Sequence, residues 1–180
     1  MSRKALVVVD YNNDFVHSDG ALTCGLAGQR LDPFISRQIR LFHGRGDAVV
    51  IVNDQHQPDD EEFAIWPVHC VQGTWGSQPY GETAEVIGQL RGKPGFYELP
   101  KTKYDAFYET DLDAILRKEG VREVYVAGVC TSICVSATVQ GGYFRGYRMK
   151  VFQDGVADLT EEAHHFMLRH MENIYKAEVV

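Results

Sequence analysis

At 180 residues, with 44% hydrophobic and 24% charged side chains, the chain has room for one domain with a full core and the composition of an ordinary globular protein. A net charge of −7 argues against nucleic acid or anionic membrane as a partner. No apolar run reaches the roughly 20 residues that cross a bilayer.

Apolar β runs alternate with helical patterns along the chain. This predicts an α/β fold in a single domain over residues 1–180, three layers (α/β/α) around a mainly parallel sheet. The amino-terminal stretch Met1–Val9 runs straight into a strand and has no leader layout with a small-residue cleavage site. Lys4 to Asp10 is the first predicted strand. Leu31, Phe34, Ile35, Ile39 and Phe42 fall at helical spacing in a helix from about Ala27 to Gly44. A second strand lies within Gly46–Asp54. Residues 55–94 are rich in Pro, Gly and acids, with one helix near Thr83–Leu90; so long a loop in a compact domain is usually functional. Next come a strand at Phe96–Lys101, a helix at Asp111–Glu119 ended by Gly120, and a buried strand at Val121–Ala127. A helical pattern starts at about Ser132. Strand five is expected at Tyr147–Gln153, a helix at Thr160–Met171 with Thr160 as N-cap, and a last strand at Ile174–Val179. The four cysteines form no CxxC pair, and a reducing cytoplasm is their simplest setting.

In an open α/β sheet, ligands bind beyond the carboxyl ends of the strands. Asp10, Asp54 and Lys101 stand at such ends, and strand four leads into Cys134. A thiol in the first turn of a helix meets unpaired N–H groups and the positive end of the dipole, which favour the thiolate nucleophile. The backbone N–H groups of Cys130 and Cys134 are candidates to hold an oxyanion. Asp10 could take the thiol proton and later give it to a leaving amine. A fixed ammonium, from Lys101 or Lys103, would stabilise the charged forms of both partners. Asp54-Gln55-His56 points two ligand-type side chains the same way along an extended chain. His69, from the long loop, would complete a set that suits Zn, Fe or Mn. Glu61 and Glu62 read as solvated loop charges, either of which could ligate directly or through water. His17, His43, His164, His165 and His170 read as surface or core residues. Phe15 and Trp66 supply aromatic surface on which a flat ring could stack.

Four ordered blocks carry a resemblance that covers nearly the whole chain. They are Val9–Phe15; Asn53–His56; Trp66–Cys70 with Gly73 and Thr74; and Lys101–Phe107 leading to Gly128–Val135. Together they resemble the isochorismatase-like cysteine hydrolases, and within them the nicotinamidases (pyrazinamidases). The resemblance implies Asp10 as proton shuttle, Lys101 as the triad lysine (by the pattern K-x-x-Y-S-A-F) and Cys134 as nucleophile. It implies a divalent metal on Asp54, His56 and His69, with Glu62 where some nicotinamidases have a further acidic ligand. Phe15, Trp66 and Tyr104 would line a ring pocket, and a cis peptide at Val129–Cys130 would aim two N–H groups at the oxyanion. The implied reaction turns nicotinamide into nicotinate and ammonia through a cysteine thioester, in NAD salvage, and such enzymes often form homo-oligomers. Some positions depart from the pattern: Ser132 in T-D-x-C-V, Asp105 in Y-S-A-F, Tyr108-Glu109-Thr110 in place of a glycine-containing turn, Val68 in W-P-P-H, and Gln140-Gly141-Gly142 in a segment usually rich in alanine. They keep open a related cysteine hydrolase acting on another small amide or a carbamoyl compound.

Overall fold

The computed structural model describes residues 3–180; Met1 and Ser2, part of the stretch read above for a leader, lie outside the described residues. Its strands are β1 (Arg3–Val9), β2 (Ala48–Asp54), β3 (Phe96–Lys101), β4 (Val121–Val129), β5 (Arg148–Ala157) and β6 (Glu178–Val179), and two single-turn helices, α1 (Asn13–Val16) and α2 (Leu26–Gln29), precede the longer ones. All pair in parallel, in one sheet ordered β3-β2-β1-β4-β5-β6.

Side-chain alternation along β1 builds two cores. Leu6 and Val8 face Ile35, Ile39 and Phe42 of helix α3 (Asp32–Gly44), together with Val86 and Ile87 of α4 (Gly81–Leu90). Val7 and Val9 face the other way. There they join Leu116 of α5 (Leu112–Lys118), Val139 of α6 (Ser136–Phe144) and Met171 of α7 (Glu161–Tyr175). Burial on both faces explains why these strands read as continuous apolar runs. Among the described residues no helix is long and apolar enough to cross a membrane.

Several boundaries differ from the sequence reading, each for a physical reason. The helix expected from Ala27 splits into a short turn at Leu26–Gln29 and α3, because Pro33 cannot sit inside a helix and takes its first turn instead. Regular helix begins at Ser136, not Ser132. The chain leaves β4 through a wide π-type turn, Thr131–Val135, in which the Val135 N–H reaches back to Cys130 O at 3.2 Å. β5 runs on past Gln153 to Ala157. Its pairing with β4 slips between Val126 and Gly128 and resumes at Val156. The last helix continues to Tyr175 and is closed by Lys176 in the left-handed region, so only Glu178 and Val179 remain of the strand expected from Ile174. Thr160 caps α7 as expected, its hydroxyl accepting from the Ala163 N–H at 3.2 Å.

Candidate active site

Strand order reverses direction between β1 and β4, and the crevice outside their carboxyl ends is where such a sheet binds ligands. The two strands approach so closely that a Cβ at Gly128 would lie 1.9 Å from Val9 O, and its φ of +117° also favours glycine. Asp10 follows β1 in the left-handed region, at φ +53°. Its N–H donates to Val52 O at 3.0 Å, and its Oδ1 accepts the Asp54 N–H at 2.8 Å. The carboxylate is thereby fixed by β2.

Register places the next group. Asp54 and Lys101 are direct partners across β2 and β3, so their side chains stand together. Lys101 is fully buried; its ammonium bonds to Asp54 Oδ1 and lies 2.6 Å from Asp10 Oδ2. The Cys134 thiol is buried in the same place, where the charges of Asp10, Lys101 and Asp54 all act on it. The structure thus brings Asp10, Lys101 and Cys134 together, and it makes Lys101 a bridge to Asp54. Lys103, the alternative amine, instead points out and pairs with Glu62 at 2.7 Å.

The electrostatics correct one expectation. Burial pushes the Cys134 thiol well above the ordinary range, with the Asp10 charge adding to it and Lys101 opposing. The helix-terminus effect does not prevail, since the sulfur sits in a wide turn deep in the protein, and the resting group is a thiol. Burial also raises the Asp10 carboxyl, to about 6, with Asp54 adding and Lys101 opposing. Burial lowers Lys101, but the two carboxylates outweigh it and the amine stays protonated. At neutral pH the site therefore holds a carboxylate beside a thiol, poised for proton transfer.

The second cluster forms because the long loop returns on itself. His56 N donates to Cys70 O at 3.0 Å and Gln72 N to His56 O at 2.9 Å, which seats His69 beside His56. Asp14 pins this return, taking the Cys70 N–H on Oδ2 at 2.7 Å. Asp54 Oδ2 lies 3.5 Å from His56 Nε2 and 3.9 Å from His69 Nε2. Ligand atoms of all three lie within 4.8 Å of one another. His56 Nδ1 bonds to Asp60 Oδ2 at 2.9 Å and His69 Nδ1 to Pro67 O at 2.7 Å, which leaves both Nε2 atoms facing Asp54. His56 Nε2 is buried without a hydrogen-bond partner. Burial works to lower the His56 pKa, but Asp54 and Asp60 outweigh it and raise it, so the cluster favours positive charge. These features fit a divalent metal of the borderline type. Glu62 is left outside this group, its carboxylate held by Lys103.

Between the clusters lies a cavity of about 290 Å³. Its floor carries Asp54, His56, His69, Cys130 and Cys134, and its walls include Phe15, Trp66 and Tyr104. The Trp66 indole N–H donates to the Tyr104 hydroxyl at 3.0 Å, joining two wall loops. The volume is at the small end for ligand pockets and suits a single ring. The Val129–Cys130 peptide is cis, as the resemblance implied.

Three supporting residues escaped the sequence reading. Asp60 orients His56 and also takes the Glu62 N–H at 2.9 Å; an Asp four residues after a candidate ligand was the available signal. Asp158 accepts the Ser132 N–H at 2.6 Å and so holds the nucleophile turn. It was hidden because β5 was expected to end five residues earlier. His164, read as a surface or core residue, bonds Thr131 Oγ1 at 2.9 Å in the same turn.

The Isochorismatase domain family matches residues 4–180. The chain is 38% identical over 180 residues to the uncharacterized isochorismatase family protein PncA of Bacillus subtilis (strain 168), covering 98% of each. The solved nicotinamidase/pyrazinamidase PncA from Bacillus subtilis superposes with a TM-score of 0.97 at 35% identity, covering 99% of both chains. The pyrazinamidase of Pyrococcus horikoshii in complex with zinc superposes at 0.88 with 29% identity, covering 99% of this chain and 98% of that one.

Proposed function

The chain belongs to the isochorismatase family, and from that premise we propose that it is an amidohydrolase converting nicotinamide to nicotinate and ammonia, a step of NAD salvage in the cytoplasm. One observation carries this reading: the buried Lys101 ammonium is shared between Asp10, beside the Cys134 thiol, and Asp54, beside His56 and His69. A nucleophile and a ring-binding group then face one small cavity. The similarity to proteins named nicotinamidase and pyrazinamidase supports the same substrate class.

The reaction uses the chain's own groups. As the Cys134 sulfur attacks the amide carbon, its proton passes to Asp10, the base whose charge acts on the thiol. The N–H groups of Cys130 and Cys134 stabilise the oxyanion; losing one such donor typically costs about 10²–10³ in rate. Asp10 returns the proton to the amine, the C–N bond breaks, and ammonia leaves a thioester on Cys134. Asp10 then takes a proton from water as its oxygen attacks the thioester carbon, and nicotinate leaves as the thiol re-forms. Lys101 keeps Asp10 placed through both half-reactions. A divalent ion (Zn, Fe or Mn) would be held by Asp54, His56 and His69, and bound there would supply a Lewis acid for the substrate's ring nitrogen. Phe15, Trp66 and Tyr104 would hold the ring.

Ammonia release from nicotinamide, by protein supplemented with Zn, Fe or Mn, tests the reading. Nicotinate formed in equal amount is the expected result. Release from an N-carbamoyl amine but not from nicotinamide would move the substrate to carbamoyl compounds.

A further inference from the structure

The oxyanion donors named above, the N–H groups of Cys130 and Cys134, belong to the turn that leaves β4. Within that turn the Ile133 and Val135 N–H groups both go to Cys130 O, at 3.1 and 3.2 Å. The Ser132 N–H, which lies between the two donors in sequence, goes outside the turn, to Asp158 Oδ2 at 2.6 Å. The residue before it is held from outside as well. Thr131 is fully buried, and its Oγ1 bonds to His164 Nδ1 at 2.9 Å. Both partners come from one stretch of chain, the passage from β5 into α7.

The slipped register of β5 places that stretch. Val151 stands opposite Val126, which in unbroken register would put Asp154 opposite Val129. After the slip Ala157 stands there, so Asp158 comes level with Cys130. Asp158 is buried, and its Oδ1 accepts the Leu159 N–H at 2.8 Å, which fixes the direction of Oδ2. Leu159 lines the cavity. Thr160 caps α7, and the His164 N–H donates to Thr160 O at 3.1 Å, so His164 stands in a closed first turn. A fixed support thus grips two consecutive residues, Thr131 and Ser132. Neither bond involves the Cys134 side chain, which packs in the core with Val135 and Val139.

We propose, resting on the amidohydrolase reading above, that Asp158 and His164 are positioning residues that hold the turn so that the Cys130 and Cys134 N–H groups converge on the oxyanion. A hydrogen bond weakens steeply as its angle is lost, so a turn loosened at Thr131 and Ser132 loses oxyanion stabilisation. The thiol and its base are held by other contacts, since Asp10 is fixed by β2. Loss of either partner therefore slows attack on a carbonyl and leaves attack on an electrophile without a carbonyl as it was.

Two reactions of Cys134 in the full-length chain read this split. With 4-nitrophenyl acetate, the sulfur adds to the carbonyl carbon, the thiol proton goes to Asp10, and 4-nitrophenolate leaves from a tetrahedral oxyanion. Its release is followed, with the rate in Cys134→Ala subtracted. With iodomethane, the sulfur displaces iodide and no oxyanion forms; mass spectrometry of the Cys134 peptide follows it. Asp158→Ala should acetylate about 10–100-fold more slowly than the wild type while methylating at the same rate. His164→Ala, which removes only the Thr131 bond, should show the same selective loss to a smaller extent, and it carries the test where Asp158→Ala does not fold. Asp158→Asn should recover most of the loss, because its carbonyl oxygen can still accept the Ser132 N–H. Acetylation and methylation falling together would mean general support of the fold and would overturn the proposal. So would acetylation at the wild-type rate in the folded alanine variants. Both of these outcomes leave the amidohydrolase reading standing, whereas a wild type without Cys134-dependent acetylation would overturn that reading and the proposal together.

Discussion

Asp10 owes its chemistry to its surroundings. Burial raises its carboxyl to about 6, Asp54 adds to the rise, and Lys101 restrains it. A base works only while ionised, so kcat/KM should fall roughly tenfold per unit as pH drops below about 6. A profile flat down to about pH 5 would remove Asp10 as the proton acceptor. Asp60 acts one shell further out, by orienting the His56 ring. Asp60→Asn should weaken metal binding by roughly 10–100-fold, measured by competition with a chelating dye, with the circular dichroism spectrum unchanged. Unchanged affinity would mean that His56 needs no carboxylate behind it. Asp10, Asp54 and Lys101 were legible because residue type and strand-end position announce them, whereas the choice of Lys101 over Lys103 and the place of Tyr104 in the cavity wall came from the family resemblance. Asp60 and Asp158 were not, since their work is done on other residues and leaves no spacing in the sequence.

At the scale of elements, two departures from the family pattern explain each other. A Cβ at Gly141 in α6 would lie 2.5 Å from both Asp105 carboxylate oxygens. Asp105 also accepts the Phe107 N–H at 2.8 Å, while Ala106 N–H reaches Thr138 on α6 at 3.0 Å. The larger side chain on the loop thus requires the smaller one on the helix. Gly141→Ala alone should destabilise the protein by ~1–3 kcal/mol through overpacking. With Asp105→Ser in place, the same change should be neutral or favourable, because alanine is the better helix former. Urea unfolding of the four proteins in this cycle measures the coupling, and strictly additive effects would refute it. Strands β1 to β4 were readable from their apolar runs. The π-type turn, the slipped register of β5 and the left-handed end of α7 were not, because tertiary packing overrides local pattern there.

Across the whole molecule, the sheet order β3-β2-β1-β4-β5-β6 sets Asp10 and Cys134, distant in sequence, on either side of one switch point. The alternation of strands and helices announced the layers and the parallel sheet. It did not announce how residues 55–80 fold back, because that return depends on the His56 bridge to Val71 and on the buried Asp14. Whether Cys134 forms a thioester with a small amide is decided by ammonia release from nicotinamide by the wild-type chain and by Cys134→Ala, each saturated with metal. The wild type should turn over, and the variant should lose at least ~10⁴-fold in kcat while still binding nicotinamide. Turnover by the variant at a rate near the wild type would contradict the covalent mechanism.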